Sequence, residues 1–157
     1  MRVTQYKTLL DTEKLAYLVK KASFNYPKLE NQFTSPQQIY HLLTEVFHLS
    51  EQTEEYCYLL CLNMKCRLLG VFELTHGSVN TSVFSNREIF QKALLCNATN
   101  IVFAHNHPSG DCTPSSKEDI DCMKKLKQAG LLMGIPLIDS IIIGENSYFS
   151  FKEQGMI

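Results

Sequence analysis

The stretch that decides the fold joins the apolar run Ile101-Val102-Phe103-Ala104 to the polar segment His105-Asn106-His107-Pro108-Ser109-Gly110. Four consecutive apolar residues predict a buried strand. Pro108 and Gly110 then predict a turn. Because alternate residues of a strand share a face, this strand would deliver both histidines to one end of a sheet, on the same side.

The two histidines predict a metal site. Two imidazoles on one face can bind a single ion, and a carboxylate from the next turn of chain can supply a third ligand. Three protein ligands leave a fourth position for water, which is typical of hydrolytic rather than structural zinc. Two simpler interpretations stay open: a surface histidine pair, and a helix start in which Ser116 is the N-cap and Asp119 its N3 partner.

The segment HNHPSGDCTPSSKED, residues 105–119, resembles the JAB/MPN metalloprotease family with its JAMM motif, and most closely the RadC-like branch. The resemblance extends from about Phe33 to the end of the chain. It implies an α+β fold with a mixed β-sheet flanked by helices, the JAB1/MPN (cytidine-deaminase-like) architecture. It also implies one Zn²⁺ per chain.

The resemblance assigns roles to individual residues. His105, His107 and Asp119 are the implied zinc ligands, and Ser116 is the implied helper of the oxyanion. The family's general base is a glutamate that begins a hydrophobic strand upstream. Glu55, at the head of the run 55–62, matches that place and context, with Glu54 as the runner-up.

The chain departs from the family pattern at three points. The loop after His107 is one residue longer than usual, so simple counting places Glu118 where the acidic ligand belongs. Asp119 is preferred because Ser116-x-x-Asp119 keeps the motif's internal spacing. Ser85-Asn86 stands where the family usually has His-Pro, and Asp139-Ser140 replaces a common Asp-His pair.

Composition limits the class of protein. The chain has 157 residues, of which 45% are hydrophobic and 20% charged, so it should be globular with one well-developed core. Its six cysteines form no C-x-x-C pair, and without a signal peptide they should stay reduced. We therefore expect a cytoplasmic location and no membrane contact.

The formal net charge of −1 predicts that any binding to nucleic acid is weak, since few phosphate counterions would be released. The expected partner is instead a protein or peptide substrate. The sequence does not predict an oligomeric state.

Patterning predicts a short N-terminal helical leader in residues 1–32, and the resemblance assigns residues 33–157 to a RadC-like zinc-hydrolase domain. In the leader, Asp11 is the expected N-cap of a helix. In the domain, helices are predicted to start at Ser35, Ser85 and Ser116, the last ending at Gly130. Five strands are expected, over residues 55–62, 66–74, 100–104, 136–143 and 147–151.

The expected function is zinc-dependent hydrolysis, and the resemblance implies that the bond cleaved is a peptide or isopeptide bond. One rival is a DNA-repair-associated accessory protein that binds or processes nucleic acid. The near-neutral charge and the lack of any glycine in residues 1–69, which leaves no glycine-containing hairpin for DNA phosphates, weigh against it. A second rival is a catalytically idle scaffold, which would have no physical need for an open metal position.

Overall fold

The computed structural model describes residues 1–29, 32–77, 85–114 and 117–157. Its centre is one mixed seven-stranded sheet with the strand order β2-β1-β4-β3-β5-β6-β7. The strands are β1 (Arg2–Leu10), β2 (Ala16–Asn25), β3 (Glu55–Leu62), β4 (Leu68–Gly77), β5 (Asn100–Asn106), β6 (Leu137–Ile143) and β7 (Tyr148–Ser150). β1 runs parallel to β4 and β5 parallel to β6, whereas the other neighbours are antiparallel.

Three α-helices cover the sheet: α1 (Pro36–Phe47), α2 (Asn86–Leu95) and α3 (Lys117–Met133). A short 3-10 helix, Leu49–Glu51, follows α1. α1 packs on one face through Ile39, Leu42, Leu43 and Phe47. α2 and α3 pack on the opposite face, where Ile89, Phe90, Met123 and Leu126 lie in a second core cluster. The predicted α+β architecture, a mixed sheet flanked by helices, is confirmed.

β3 and β5 lie in the middle of the sheet and are apolar on both faces. Leu59 and Phe103 point to the α2–α3 side, and Leu60 and Val102 point to the α1 side. Continuous apolar runs of this kind are typical of strands covered on both faces. The predicted bounds of β3 are therefore confirmed, and β5 continues two residues beyond its predicted end, through His105 to Asn106.

The predicted helical leader is wrong. Residues 2–25 form the antiparallel β1–β2 hairpin, and β1 joins the main sheet beside β4. Asp11 is a turn residue and not an N-cap, because its Oδ1 accepts from the backbone N–H of Glu13 and of Leu15, each at 2.9 Å. Lys14 completes the turn with φ of 65°. The division of the chain near residue 33 remains a prediction.

The spacing of apolar residues predicted a helix here, but pairing between strands determines the structure. Leu15, Leu18, Val19 and Ala22 fit a helical stripe, but the segment that precedes them offers a β-rich partner strand. On β4, Gly70 leaves room for that partner, since a Cβ there would lie 2.7 Å from the ring of Tyr6. Tyr6 also lies against Phe72, with ring centroids 6.1 Å apart.

α3 continues past its predicted end at Gly130. A Cβ at Gly130 would lie 2.8 Å from the carbonyl oxygen of Ile135, so glycine is needed there for close approach of the backbone and not to end the helix. The helix ends at Met133, and Gly134 follows with φ of 67°. Among the described residues, no helix combines the length and the apolar character needed to cross a membrane.

Candidate metal centre

β5 carries the histidine pair to the end of the sheet. His105 and His107 are 4% and 9% exposed, so the surface-pair interpretation does not hold. His105 follows Phe103 on the α2–α3 face, because residues two apart in a strand share a face. The two imidazole Nε2 atoms lie 3.2 Å apart.

Asp119 in the first turn of α3 faces both histidines. Its Oδ1 lies 3.5 Å from Nε2 of His105, and its Oδ2 lies 3.8 Å from Nε2 of His107. One ligand atom from each of the three residues falls within 4.8 Å of the others, a possible metal-binding group. Ligands about 2.0–2.1 Å from a tetrahedral ion lie on the order of 3.3 Å apart, close to the spacing found here.

The tautomer of His107 suits a metal ligand. Its Nδ1 lies 2.8 Å from the backbone carbonyl oxygen of Asp111, which can only accept. Nδ1 therefore carries the proton, and the lone pair remains on Nε2, toward the other ligand atoms. Nδ1 of the other ring, His105, finds no hydrogen-bond partner among the described residues.

The loop that supplies this carbonyl is fixed at both ends. The backbone N–H of Gly110 donates to the carbonyl oxygen of His107 at 2.9 Å, and that of Glu145 donates to the carbonyl oxygen of Gly110 at 3.0 Å. The Oδ1 of Asp111 accepts from both the backbone and the hydroxyl of Thr113, which lowers the pKa of this carboxyl. The loop thus holds the ring of His107 in one orientation.

Glu55 begins β3 beside the histidines. β3 is antiparallel to β5, and Cys57 pairs with His105, so Glu55 lies at the end of the sheet that carries both histidines. The side chain is 7% exposed, and its Oε2 has no hydrogen-bond partner among the described residues. Burial raises the pKa of Glu55, the two histidines oppose that shift, and Asp119 adds to it. The runner-up, Glu54, is exposed.

The predicted oxyanion helper and the side chain of the alternative acidic ligand cannot be placed. Ser116, the predicted oxyanion helper, lies outside the described residues, as does its neighbour Ser115. The side chain of Glu118 also lies outside the described part of the chain. The choice of Asp119 over Glu118 as metal ligand therefore stays a prediction, although Asp119 has the position that a ligand requires.

Sequence reasoning missed the role of Asn106, which lies between the two histidines. Its side chain is 1% exposed and bonds to β3 on both sides of Glu55. Oδ1 accepts from the backbone N–H of Tyr56 at 2.7 Å, and Nδ2 donates to the carbonyl oxygen of Glu54 at 3.0 Å. Asn106 thus fixes the backbone of Glu55 relative to both histidines. The signal available in the sequence was a polar residue in an otherwise buried strand.

The nearby cysteines are not part of the converging group. Cys57 and Cys61 are buried, and burial raises the pKa of Cys57 to about 12, so its thiol stays neutral. Cys112, in the loop after the histidines, places its Sγ 3.3 Å from the hydroxyl oxygen of Ser147.

Residues at two of the segments that depart from the family pattern have structural roles. Ser85 is the N-cap of α2, as predicted, and its Oγ accepts from the backbone N–H of Glu88 at 3.3 Å. Asp139 is buried in β6 and accepts from the hydroxyl of Ser150 at 2.7 Å and from the backbone N–H of Lys152 at 3.0 Å. It therefore ties β6 to β7 and the segment after it.

Comparison with known proteins agrees with this geometry. Residues 33–156 match the family model described as the RadC-like JAB domain. A UPF0758 protein of Geotalea uraniireducens is 42% identical over 126 residues, which cover 80% of this chain and 54% of the relative. A UPF0758 protein of Clostridium botulinum is 40% identical over 144 residues, which cover 91% of this chain and 62% of the relative.

The chain thus spans roughly half the length of several curated relatives that it matches. The matched region contains β3 to β7, all three helices and every residue of the candidate metal centre, whereas the β1–β2 hairpin precedes it. The chain belongs to the RadC-like JAB domain family.

Proposed function

We propose that this chain is a zinc-dependent hydrolase that cleaves peptide or isopeptide bonds. The observation that carries the proposal is the meeting of two imidazole nitrogens and a carboxylate beside the buried Glu55. Neither part alone would suffice, because hydrolysis needs both a site for an electrophile and a base next to it.

The donor set fits zinc. Two neutral imidazoles and one carboxylate are ligands that Zn²⁺ favours, whereas Mg²⁺ and Ca²⁺ prefer oxygen donors throughout. His105, His107 and Asp119 would hold the ion. When bound, zinc would lower the pKa of water and polarise the carbonyl of the substrate.

Glu55 is the proposed general base. A carboxylate that is buried and has an unpartnered oxygen can take a proton from the attacking water without first losing a hydrogen bond. The water oxygen then bonds to the carbonyl carbon, and the carbon–nitrogen bond breaks. Glu55 returns the proton to the leaving amine. Ser116 is proposed to donate a hydrogen bond to the developing oxyanion.

The test compares Glu55→Gln with Glu54→Gln in zinc-loaded protein, using fluorescein-labelled casein and a library of quenched fluorescent peptides. Glu55→Gln should keep the fold and the zinc but lose turnover by on the order of 10²-fold or more. Glu54→Gln, which changes an exposed neighbour in the same way, should keep it. Full activity in Glu55→Gln, or no zinc-dependent cleavage by the unaltered chain, would contradict the proposal.

A further inference from the structure

Two cysteines, Cys61 and Cys96, lie together at the end of the sheet away from the candidate metal centre. Cys61 lies near the end of β3, where it pairs with Ile101 at the start of β5. Cys96 lies at the C-terminal end of α2. Both side chains belong to the core cluster between the sheet and the α2–α3 helices. The two thiols are therefore separate from the residues of the proposed function.

A glycine on β4 leaves room for the sulfur of Cys96. Gly70 is the β4 partner of Cys61, and a Cβ at Gly70 would lie only 3.1 Å from Sγ of Cys96. Cβ positions directly opposite each other in an antiparallel pair are about 4.5–5.5 Å apart. The sulfur of Cys96 thus lies over the β3–β4 pair, within reach of the side chain of Cys61.

The end of α2 fixes the backbone at Cys96. The N–H of Cys96 donates to the carbonyl oxygen of Lys92 at 3.0 Å. Asn97 follows with φ of 54°, and the N–H of Ala98 donates to the carbonyl oxygen of Ala93 at 2.9 Å. Bonds of this kind satisfy the last carbonyls of a helix and close its end. They keep Cys96 at the sheet, next to Cys61.

The two thiols differ in exposure and in acidity. Cys61 is 0% exposed, whereas Cys96 is partly exposed. A hydrogen bond from the thiol of Cys61 lowers the pKa of Cys96, against the opposing effect of burial, and the same bond together with burial raises the pKa of Cys61. An accessible thiol with thiolate character is the one that an oxidant attacks, and an adjacent thiol can then resolve the product.

We propose that Cys61 and Cys96 are a reversible oxidation site, which reacts with peroxide to form a disulfide that fastens the end of α2 to β3. Cys96 would be the thiol attacked first, and Cys61 the resolving thiol. This site is independent of the proposed function, since neither thiol touches the candidate ligands or Glu55.

The reaction takes two electrons from the pair of thiols. The thiolate of Cys96 attacks one oxygen of hydrogen peroxide, the O–O bond breaks, and hydroxide leaves, so that Cys96 becomes a sulfenic acid. The sulfur of Cys61 then attacks the sulfur of Cys96, the S–O bond breaks and the S–S bond forms. The two thiol protons leave with the two oxygens, so one peroxide is reduced to two waters. A small thiol reverses the reaction by thiol–disulfide exchange.

The disulfide should also stabilise the fold. It would join two segments that are distant in sequence, and such a cross-link lowers the entropy of the unfolded chain. The oxidised chain should therefore unfold at a higher denaturant concentration than the reduced chain, by about 1 M or more in urea.

The test treats the full chain with a small excess of hydrogen peroxide under native conditions. Free thiols are then blocked with N-ethylmaleimide, and unreduced peptides are mapped by mass spectrometry. We expect a linked pair of peptides that contains Cys61 and Cys96, and dithiothreitol should release both thiols. The matched control is Cys66→Ser, which removes another partly exposed cysteine and should form the same link at the same rate.

Variants of the pair separate its two steps. Cys61→Ala should form no link, and dimedone should label Cys96 as a sulfenic acid. Cys96→Ala should form no link and give no dimedone adduct at the buried Cys61. In the unaltered chain, Cys96 should be oxidised about tenfold or more faster than Cys66. Urea titrations should show the shifted midpoint in the oxidised unaltered chain and no shift in peroxide-treated Cys61→Ala.

Peptide mapping of the unaltered chain decides the matter even where a variant fails to fold. Cys96 left reduced while Cys66 or Cys112 is oxidised would overturn the proposal. A link between Cys57 and Cys122 in place of the expected one would overturn it too. A link between Cys61 and Cys96 that leaves the urea midpoint unchanged or lowers it would overturn the fastening of α2 to β3.

Discussion

At the scale of single residues, the candidate site depends on side chains that fix one another. The carbonyl of Asp111 sets the tautomer of His107, and Asn106 holds the backbone on both sides of Glu55. Supporting bonds of this kind keep a base and its neighbouring ligands at a constant separation. Asn106 is therefore a positioning residue and does not itself need to touch a substrate.

Asn106→Ala should lower kcat more than it changes KM, because Glu55 loses its fixed place while the candidate metal ligands stay intact. Stability should also fall by on the order of 1 kcal/mol, since a partly buried N–H of Tyr56 and a partly buried carbonyl of Glu54 lose their partners. Asn100→Ala is the matched control. This change removes a hydrogen bond that Nδ2 of Asn100 donates to the carbonyl oxygen of Asn63 at 3.2 Å, at the other end of β5, so it should leave kcat unchanged. Equal losses of kcat in both variants would assign Asn106 a general structural role only.

The site residues were accessible to prediction from sequence because their signals are local. A buried strand, a turn and a helix start follow one another between Asn100 and Asp119, so spacing brings the histidines near a carboxylate, and the family resemblance singles out Asp119. Asn106 was missed because its partners, Glu54 and Tyr56, come from a distant part of the chain. No local pattern shows which strand lies beside β5.

At the scale of secondary structure, predictions that depend on local sequence patterns were confirmed, and predictions that depend on contacts with another element were wrong. The bounds of β3 followed from one continuous apolar run. The β1–β2 hairpin and the true end of α3 did not follow from local patterns, because each depends on a contact with another element. The hairpin depends on the close contact between the ring of Tyr6 and Gly70. The end of α3 depends on the close contact between the carbonyl oxygen of Ile135 and Gly130.

Gly130→Ala tests this account of α3. Alanine normally stabilises the middle of a helix relative to glycine by about 1 kcal/mol. Here its Cβ would meet a backbone oxygen at 2.8 Å, so we expect a loss of about 1–3 kcal/mol in the free energy of unfolding, measured with denaturant. Gln128→Ala, at an exposed position of the same helix, should change stability little. A stabilised Gly130→Ala protein would show that glycine is not needed there.

The link between β6 and β7 should give stability a specific pH dependence. Burial raises the pKa of Asp139 above its usual 3.8, so the folded state keeps a proton that the unfolded state has released. The contribution of this residue to stability is therefore greatest below the unfolded pKa and falls as pH rises toward the folded pKa.

Asp139→Asn should remove this dependence, because the amide stays neutral and its oxygen can still accept from the backbone N–H of Ser140 and of Lys152. Relative to the unaltered chain, the variant should gain stability as pH rises from about 4 to 8 in denaturant titrations. A constant difference across that range would contradict the assignment.

At the scale of the whole molecule, topology brings three distant segments to one end of the sheet. β3 supplies Glu55, β5 and the first turn of α3 supply the candidate ligands, and the turn of the β1–β2 hairpin lies toward the same end. The family resemblance predicted the first two. The third depends on the parallel pairing of β1 with β4, which only the folded chain displays.

The central claim is that His105, His107 and Asp119 together bind zinc, and elemental analysis of purified protein tests it most directly. We expect one zinc per chain, because two imidazole nitrogens and one carboxylate already lie near tetrahedral spacing. Asp119→Ala and His105→Ala should lose the metal, whereas Glu118→Ala and Cys57→Ala should keep it. Protein that holds no zinc and takes up none near neutral pH, or zinc lost in Glu118→Ala but kept in Asp119→Ala, would contradict this account.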